Sequence, residues 1–140
     1  MDLKLVEIVS RAAAAHGLNR HILCGQAERE SSWNPRAVRY EPAFRDRYLR
    51  PLHLELTEEI ARAQSYGLGQ VMGEVARELG YVGELAALCD PELGAEWQAR
   101  VLAHKIAVNG GNVEAGLQAY NGGANSRYSE EVLELSKKYL

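Results

Sequence analysis

The end of one apolar helical run reads Glu30-Ser31-Ser32-Trp33-Asn34-Pro35-Arg36-Ala37 and leads into a loop that a proline anchors. In a helix, Leu23, Ala27 and Glu30 share one face. Because Leu23 and Ala27 are apolar, this face points inward and carries Glu30 with it, whereas Glu28 points away toward solvent. An inward carboxylate is either paired with a cation or held in a dry cleft, where its pKa rises as a general acid requires. Glu30 is therefore a candidate acid, and a helix-end salt bridge is the alternative.

Length and composition are typical of one soluble domain, which we expect to span residues 1–140. Apolar residues make up 46% and charged residues 25% of the chain. A net charge of −3 argues against nucleic-acid binding. Five arginines nevertheless lie between residues 34 and 50, against only Glu41 and Asp46. This segment is either a solvated loop or a rim that attracts an anionic polymer.

Several other classes of site and segment are not expected. Residues 1–7 carry acids where an export signal has bases, and no apolar run is long enough to span a membrane. Cys24 and Cys89 lie in apolar runs, which favours two free core thiols over a disulfide. The four histidines show no paired ligand spacing, so we expect neither a metal site nor a cofactor.

Helix-start and helix-stop residues predict a mainly α domain of about seven to nine mostly short helices. Glycines should end the first helix at Gly17 and a later one at Gly80, and Gly110-Gly111 should break a third. The predicted N-terminal caps are Asn19, Thr57, Asp90, Asn112 and Ser129. Residues 38–56 should be irregular apart from a helical turn near 43–49. Residues 65–72 should begin as a turn and pass into a short helix.

Three sequence blocks follow one another along the chain. The first is residues 30–37, and the second is Tyr66-Gly67-Leu68-Gly69-Gln70-Val71-Met72. The third comes after Asp90-Pro91-Glu92 and consists of residues 110–112 followed by Ala119-Tyr120-Asn121-Gly122-Gly123. Together they resemble the soluble lytic transglycosylase domain, a relative of goose-type lysozyme that cleaves the glycan of peptidoglycan. The resemblance covers roughly residues 18 to 139, and three blocks in order are far more specific than one. It implies a single lysozyme-like domain with a substrate cleft.

The resemblance also implies roles for individual residues. Glu30 matches the catalytic acid/base, and Tyr120 should lie beside it and orient it or the substrate's N-acetyl group. The residues that match substrate-binding positions are Ser31, Tyr66, Gly67, Leu68, Gln70, Tyr120 and Asn121. This chain departs from the family pattern at Gly69, where many members carry Met, and at Gly73, where Pro is frequent. Ala124-Asn125 stands where Glu-Thr is common, which leaves contacts with the stem peptide unassigned.

The matched blocks offer no second acid, which favours a reaction that needs only one. The N-acetyl group and 6-hydroxyl of muramic acid can supply the nucleophiles, giving a 1,6-anhydro end without water. A hydrolysing muramidase would need a second carboxylate about 5 to 9.5 Å away, for which Glu41 and Asp46 are candidates. A cysteine peptidase using Cys24 with His21 or His104 is a third possibility, and a non-catalytic glycan-binding module is a fourth.

The expected partner is therefore the glycan strand of peptidoglycan, bound by a monomer. Peptidoglycan lies outside the cytoplasmic membrane, yet the chain carries no visible export signal. It would reach the wall as a domain of a longer protein, by bacteriophage delivery or with a secretion system.

Overall fold

The computed structural model describes residues 2–140 and confirms the mainly α prediction. Within this range there are eight α-helices, and the longest is α6. Their bounds are α1 Leu3–Ala15, α2 Arg20–Ser31, α3 Pro42–Phe44, α4 Leu56–Arg62, α5 Gly73–Glu78, α6 Pro91–Val108, α7 Val113–Tyr120 and α8 Tyr128–Ser136. A π-helical turn spans Arg45–Leu49, and 3-10 turns span Arg50–Leu52, Leu85–Cys89 and Lys137–Tyr139.

The predicted N-terminal caps are correct for three helices. Asn19 caps α2, Asp90 caps α6 and Asn112 caps α7, each through a side-chain oxygen that accepts a backbone N–H of the first turn. Gly17 follows the end of α1 with a φ of 68°, a left-handed conformation that glycine adopts at little cost. Helices α2, α6 and α7 therefore begin, and α1 ends, where the sequence signals indicate.

Two predicted caps are wrong. The Glu59 N–H bonds to the Glu55 carbonyl, so α4 begins ahead of Thr57. Helix α8 begins at Tyr128, and the N–H of Ser129 donates to the Gln118 side chain of α7 at 2.7 Å. A side chain from another helix thus satisfies this N-terminus, and such a long-range partner has no local sequence signal.

A small antiparallel sheet replaces part of the segments expected to be irregular or helical. Strand β1 is Val38–Tyr40, β2 is Gln64–Tyr66 and β3 is Val71–Met72. Val38 pairs with Tyr66, and Ser65 pairs with Met72. The segment 65–72 is therefore a hairpin, which corrects the expectation of a turn entering a helix. The helix begins only at Gly73, after β3.

Two apolar clusters share α6. The larger joins α1, α2, α6, α7 and α8 and contains Leu23, Leu102 and Val132, each with almost no exposed surface. The smaller lies between the sheet, α5 and α6 and contains Leu88 and Trp97. Tyr120 packs against both clusters. The end of α7 therefore lies at the junction where the two halves of the molecule face each other.

Both cysteines are free, and Cys24 is fully buried. Within residues 2–140, no helix combines the length and apolarity that crossing a membrane requires.

Candidate functional site

A groove of about 580 Å³ runs between the two halves of the molecule. The C-terminal part of α2 contributes Glu30 to it, and the turn before β3 contributes Gln70. Helix α6 contributes Val101 and Lys105. The end of α7 and the turn after it complete the lining with Ala119, Tyr120, Asn121, Gly122 and Ala124. The fold thus brings four predicted site residues, Glu30, Gln70, Tyr120 and Asn121, to one surface.

The backbone leaves α2 through a strained turn that keeps Glu30 at the groove. Ser32 and Trp33 have φ values of 51° and 65°, a left-handed conformation that residues other than glycine rarely adopt. The Trp33 indole Nε1 donates to the Tyr139 hydroxyl at 2.8 Å, and the two rings meet edge to face. This anchoring holds the chain so that α2 ends one residue after Glu30.

The Glu30 carboxyl is half-buried and accepts one hydrogen bond within the described residues. The Tyr128 hydroxyl donates to Glu30 Oε2 at 2.6 Å. Burial raises the pKa of Glu30, and the Tyr128 hydrogen bond and the charges of Arg29 and Arg39 oppose this only in part. A carboxyl in this state can hold a proton in a neutral solution more readily than an exposed one.

The alternative of a helix-end salt bridge does not describe Glu30 in residues 2–140. The adjacent Arg29 pairs with Glu131 at 3.3 Å, and Arg39 pairs with Glu41 at 3.0 Å. Glu28 is the glutamate that is paired, with Lys138 at 2.7 Å, and it also accepts from the Tyr139 hydroxyl. The expectation that Glu28 is simply solvated is therefore wrong, because the C-terminal 3-10 turn packs across it.

Tyr120 lies in the groove with Glu30 but does not orient its carboxyl. Its hydroxyl donates to the Gly69 carbonyl at 2.6 Å. Burial, with the nearby negative charge of Glu30, raises the pKa of Tyr120 well above its ordinary range. The tyrosine that holds Glu30 is Tyr128, which the sequence analysis did not assign. Its position one turn before Val132 on the apolar face of α8 predicts burial but not its partner.

Gln70 and Asn121 are held by backbone contacts at the groove surface. Gln70 Nε2 donates to the carbonyls of Ala37 and Gly67 at 2.9 and 3.1 Å, and the residue has a φ of 48°. The Asn121 amide is best oriented with its oxygen accepting from the N–H groups of Ala124 and Asn125, at 3.2 and 2.8 Å. Both side chains are thus fixed in place before any ligand binds.

The other four predicted substrate-binding residues do not line the groove. Ser31 Oγ donates to the Ala27 carbonyl at 3.0 Å within α2. Tyr66 and Leu68 are 3% and 1% exposed, and the Tyr66 hydroxyl donates to the Ala61 carbonyl. A Cβ on Gly67 would lie 2.5 Å from the Leu88 carbonyl oxygen. Tyr66, Gly67 and Leu68 therefore form part of the hairpin beside the groove, and Ser31 belongs to α2. A role of these four residues in substrate binding stays a prediction.

The two candidate second carboxylates are placed differently. Glu41 lines the groove and is paired with Arg39. Asp46 lies outside the groove lining and pairs with Arg50 on the exposed face of the π-helical turn. Of the two, only Glu41 can face a molecule bound in the groove.

An aromatic pair extends the groove at its arginine-rich side and was not predicted. The rings of Phe44 and Tyr48 are 4.9 Å apart, and the Arg47 guanidinium lies 5.1 Å from the Tyr48 ring centroid. Both aromatic residues line the groove, and Tyr48 is 51% exposed.

The candidate nucleophile Cys24 is fully buried, and burial raises the pKa of its thiol, which argues against a nucleophilic thiol at this position.

Comparison with known protein families gives a match over most of the chain. The family model described as "Transglycosylase SLT domain" matches residues 7–138, nearly the whole chain. Searches of curated proteins and of solved structures each gave no significant match.

Proposed function

The chain belongs to the transglycosylase SLT domain family, and from that premise we propose that it cleaves the β-1,4 bond between N-acetylmuramic acid and N-acetylglucosamine without consuming water. Membership supports peptidoglycan cleavage at the level of the family. The product that we propose is a 1,6-anhydromuramyl end. We further propose that Glu30 alone acts as general acid and then as general base.

The observation that carries this proposal is the environment of the Glu30 carboxyl. It lines the groove, and burial raises its pKa. The Tyr128 hydroxyl donates to Oε2, and within residues 2–140 no hydrogen bond occupies the other oxygen, Oε1. A general acid must be protonated near the working pH and within reach of the bond that it cleaves. Binding alone would not require a carboxyl with a raised pKa, which favours an enzyme over a glycan-binding module.

The reaction needs two proton transfers at Glu30. First, Glu30 donates its proton to the glycosidic oxygen while the N-acetyl carbonyl oxygen of muramic acid bonds to C1, and N-acetylglucosamine leaves as an alcohol. The Glu30 carboxylate then takes the proton of the muramic 6-hydroxyl. The 6-oxygen bonds to C1 and displaces the N-acetyl oxygen, which regenerates the N-acetyl group. Every atom of the substrate is retained in the two products.

Fixed polar groups and aromatic rings offer contacts for the sugars. The Nε2 group of Gln70 is occupied by backbone carbonyls, so its side-chain oxygen is the group that a sugar hydroxyl or amide N–H can use. Tyr48 and Phe44 offer apolar ring faces at the groove edge. Lys105 and Arg39 add positive charge to the lining, which suits the carboxylates of stem peptides. The site of action would be the peptidoglycan layer, whichever route delivers the chain there.

Replacement of Glu30 by glutamine tests the proposal. We expect Glu30→Gln to lower the rate of wall clearing by at least about 100-fold, because an amide cannot donate the required proton. The matched control is Glu28→Gln, which alters a glutamate two residues away that is paired with Lys138 outside the groove. Near-wild-type clearing by the Glu30→Gln variant would remove Glu30 from the mechanism.

Glu41 supports one second candidate function, a hydrolytic muramidase, because it is a further carboxylate in the groove lining. Its carboxylate lies 3.0 Å from Arg39, and in that reaction it would activate the attacking water. In that reaction Glu41→Gln would abolish turnover, whereas a one-acid reaction tolerates the change.

A further inference from the structure

Two glutamines lie in the core behind the candidate acid, and the proposed reaction uses neither. Gln26 on α2 and Gln98 on α6 are each 0% exposed. Buried amides destabilise a protein unless their polar atoms find partners. The positions of these two side chains therefore need a physical reason.

The two glutamines form a continuous hydrogen-bonded chain that ends on Glu30. Gln98 Nε2 donates to the Leu23 carbonyl at 3.2 Å and to Gln26 Oε1 at 3.0 Å. Gln26 Nε2 donates to the Tyr128 hydroxyl oxygen at 3.1 Å. The Tyr128 hydroxyl in turn donates to Glu30 Oε2 at 2.6 Å. Every link crosses between helices, so the chain joins α6, α2 and α8.

The direction of this chain is fixed at its far end. The Leu23 carbonyl can only accept, so the Gln98 amide must turn its nitrogen toward α2. The second N–H of that nitrogen meets Gln26 Oε1, and Gln26 must then turn its own nitrogen toward Tyr128. Because the Tyr128 oxygen already receives an N–H, its proton is directed at Glu30.

We propose that Gln26, Gln98 and Tyr128 are positioning residues that keep the Tyr128 hydroxyl proton on Glu30 Oε2 and so place the acidic proton on the other oxygen, Oε1. This rests on the proposed role of Glu30 as the general acid. The chain also stabilises the carboxylate that remains after proton transfer, since each donor strengthens the next. It thereby fixes both the protonated oxygen and the ease with which the proton leaves.

The packing around Gln98 supports a functional reason for the pair. A Cβ on Gly69 would lie 2.3 Å from Gln98 Cγ, so the glycine in the groove-lining hairpin makes room for this side chain. Within residues 2–140, Gln98 Oε1 is buried without a hydrogen-bond partner. Two apolar side chains would fill this space without an unpaired oxygen. The amide pair is thus less favourable for stability than two apolar side chains would be, but unlike them it can direct a proton.

Other charged and titratable groups also face Glu30 and must stay constant in a test. Arg29 lies beside it on α2, and Arg39 approaches from β1. Tyr120 faces it from the end of α7. The other charged groups of the groove are Glu41 and Lys105. A substitution at Gln26 alters none of these groups.

The test is the pKa of Glu30, measured by NMR titration of carbon-13-labelled glutamate carboxyls, with Glu30→Gln used to assign the signal. In Gln26→Met, which keeps the side-chain length, we expect the pKa of Glu30 to rise by about half a pH unit, because the Tyr128 hydroxyl still donates to the carboxylate but is no longer polarised by the Gln26 N–H. In Tyr128→Phe we expect a rise of about one to two units. The basic limb of the pH–rate profile should move by the same amounts.

Gln64→Met is the matched control. Gln64 Nε2 also donates to a tyrosine hydroxyl, that of Tyr66 at 3.3 Å, but Tyr66 donates to the Ala61 carbonyl and not to Glu30. We expect this variant to leave the pKa of Glu30 unchanged.

An unchanged Glu30 pKa in folded Gln26→Met protein would overturn the proposal. If that variant does not fold, Gln98→Met cuts the chain one link earlier and should also raise the pKa. Amide hydrogen exchange in the wild type is a third test: the Gln26 side-chain protons should exchange far more slowly than those of half-buried Gln64, and equal rates would contradict the chain. The NMR titration and the hydrogen-exchange measurement do not depend on turnover, so an active Glu30→Gln variant would reject the enzyme mechanism separately.

Discussion

At the scale of single residues, Glu30 is subject to two opposing influences. Burial raises its pKa, whereas the Tyr128 hydroxyl and the charges of Arg29 and Arg39 favour its ionised form. Burial is the larger influence. The carboxyl therefore holds a proton more readily than an exposed glutamate does, and the Tyr128 hydroxyl is in place as a donor to the carboxylate once that proton has left.

This balance has a consequence for stability. The pKa of Glu30 in the folded protein lies above its ordinary value of 4.5, so between these two values the folded state binds more protons than the unfolded state. The free energy of unfolding contributed by Glu30 therefore falls as pH rises through that window. We expect Glu30→Gln to be more thermostable than the wild type at pH 7, by about 2–4 °C. Melting curves should show that this difference closes below pH 4.5; a variant less stable at pH 7 would contradict it.

The inward position of Glu30 could be predicted because it depends on nearby residues of the same helix. Leu23 and Ala27 lie on the same helical face and are both fully buried, so the inward direction of that face was predictable. The residues that contact Glu30 and Glu28 from other helices could not be predicted. Tyr128 lies 98 residues away from Glu30, and Lys138 lies 110 residues from the neighbouring Glu28. No period or cap in either segment indicates which residue it will meet.

At the scale of elements, a cluster of ion pairs fixes the short helices beneath the sheet. Glu58 on α4 accepts from Arg77 Nε on α5 at 2.7 Å and from Arg62 Nε at 2.6 Å. The Arg77 guanidinium, together with Arg62, lowers the pKa of Glu58 to about 2. Arg77 also donates to the carbonyls of Tyr81 and Gly83 and so ties the loop after α5 to the same cluster.

Glu58 should affect stability with the opposite pH dependence to Glu30. Its pKa in the folded state is depressed, so its contribution is complete above about pH 4.5 and is lost as pH falls toward 2. We expect Glu58→Gln to cost about 1–3 kcal/mol at pH 7, since it leaves two guanidinium groups without their carboxylate. Urea denaturation at pH 7 and at pH 2.5 measures this. A cost that is equal at both pH values would show that the loss comes from packing and not from charge.

Elements with local signals were predicted well, and those defined by distant contacts were not. Helix α6 begins at Pro91, directly after its cap Asp90, and ends at Val108, just before the predicted break at Gly110-Gly111. Strands β1 and β3 have three and two residues, too few for an alternating pattern to be recognised. Their pairing with β2 is a tertiary property of the hairpin, which the glycines at 67 and 69 allow by close packing against Leu88 and Gln98.

At the scale of the whole molecule, the groove exists because two apolar clusters meet along α6 and leave a gap above it. The three sequence blocks anticipated part of the lining of that groove, namely Glu30, Gln70, Tyr120 and Asn121. They could not separate side chains that face the gap from those that support it, as Tyr66 and Leu68 do. The aromatic pair of Phe44 and Tyr48 lies in a segment with no periodic pattern and was missed for that reason.

The arginine-rich segment between residues 34 and 50 forms part of this surface. Arg45 is held by Glu59 at 2.6 Å and by the Tyr40 hydroxyl, whereas the Arg39 side chain is 76% exposed. The segment is thus partly structural and partly a charged rim beside the groove. Its positive charge contrasts with the net charge of −3 and suits an anionic wall polymer.

The most direct test of one-acid cleavage is the mass of the ends that the protein leaves on purified peptidoglycan, digested in water enriched in heavy oxygen. We expect ends that are lighter by one water than reducing ends and that carry no heavy oxygen, both for the wild type and for Glu41→Gln. Reducing ends labelled with heavy oxygen, formed by the wild type and lost in Glu41→Gln, would contradict the proposed reaction and establish a hydrolase that uses Glu41.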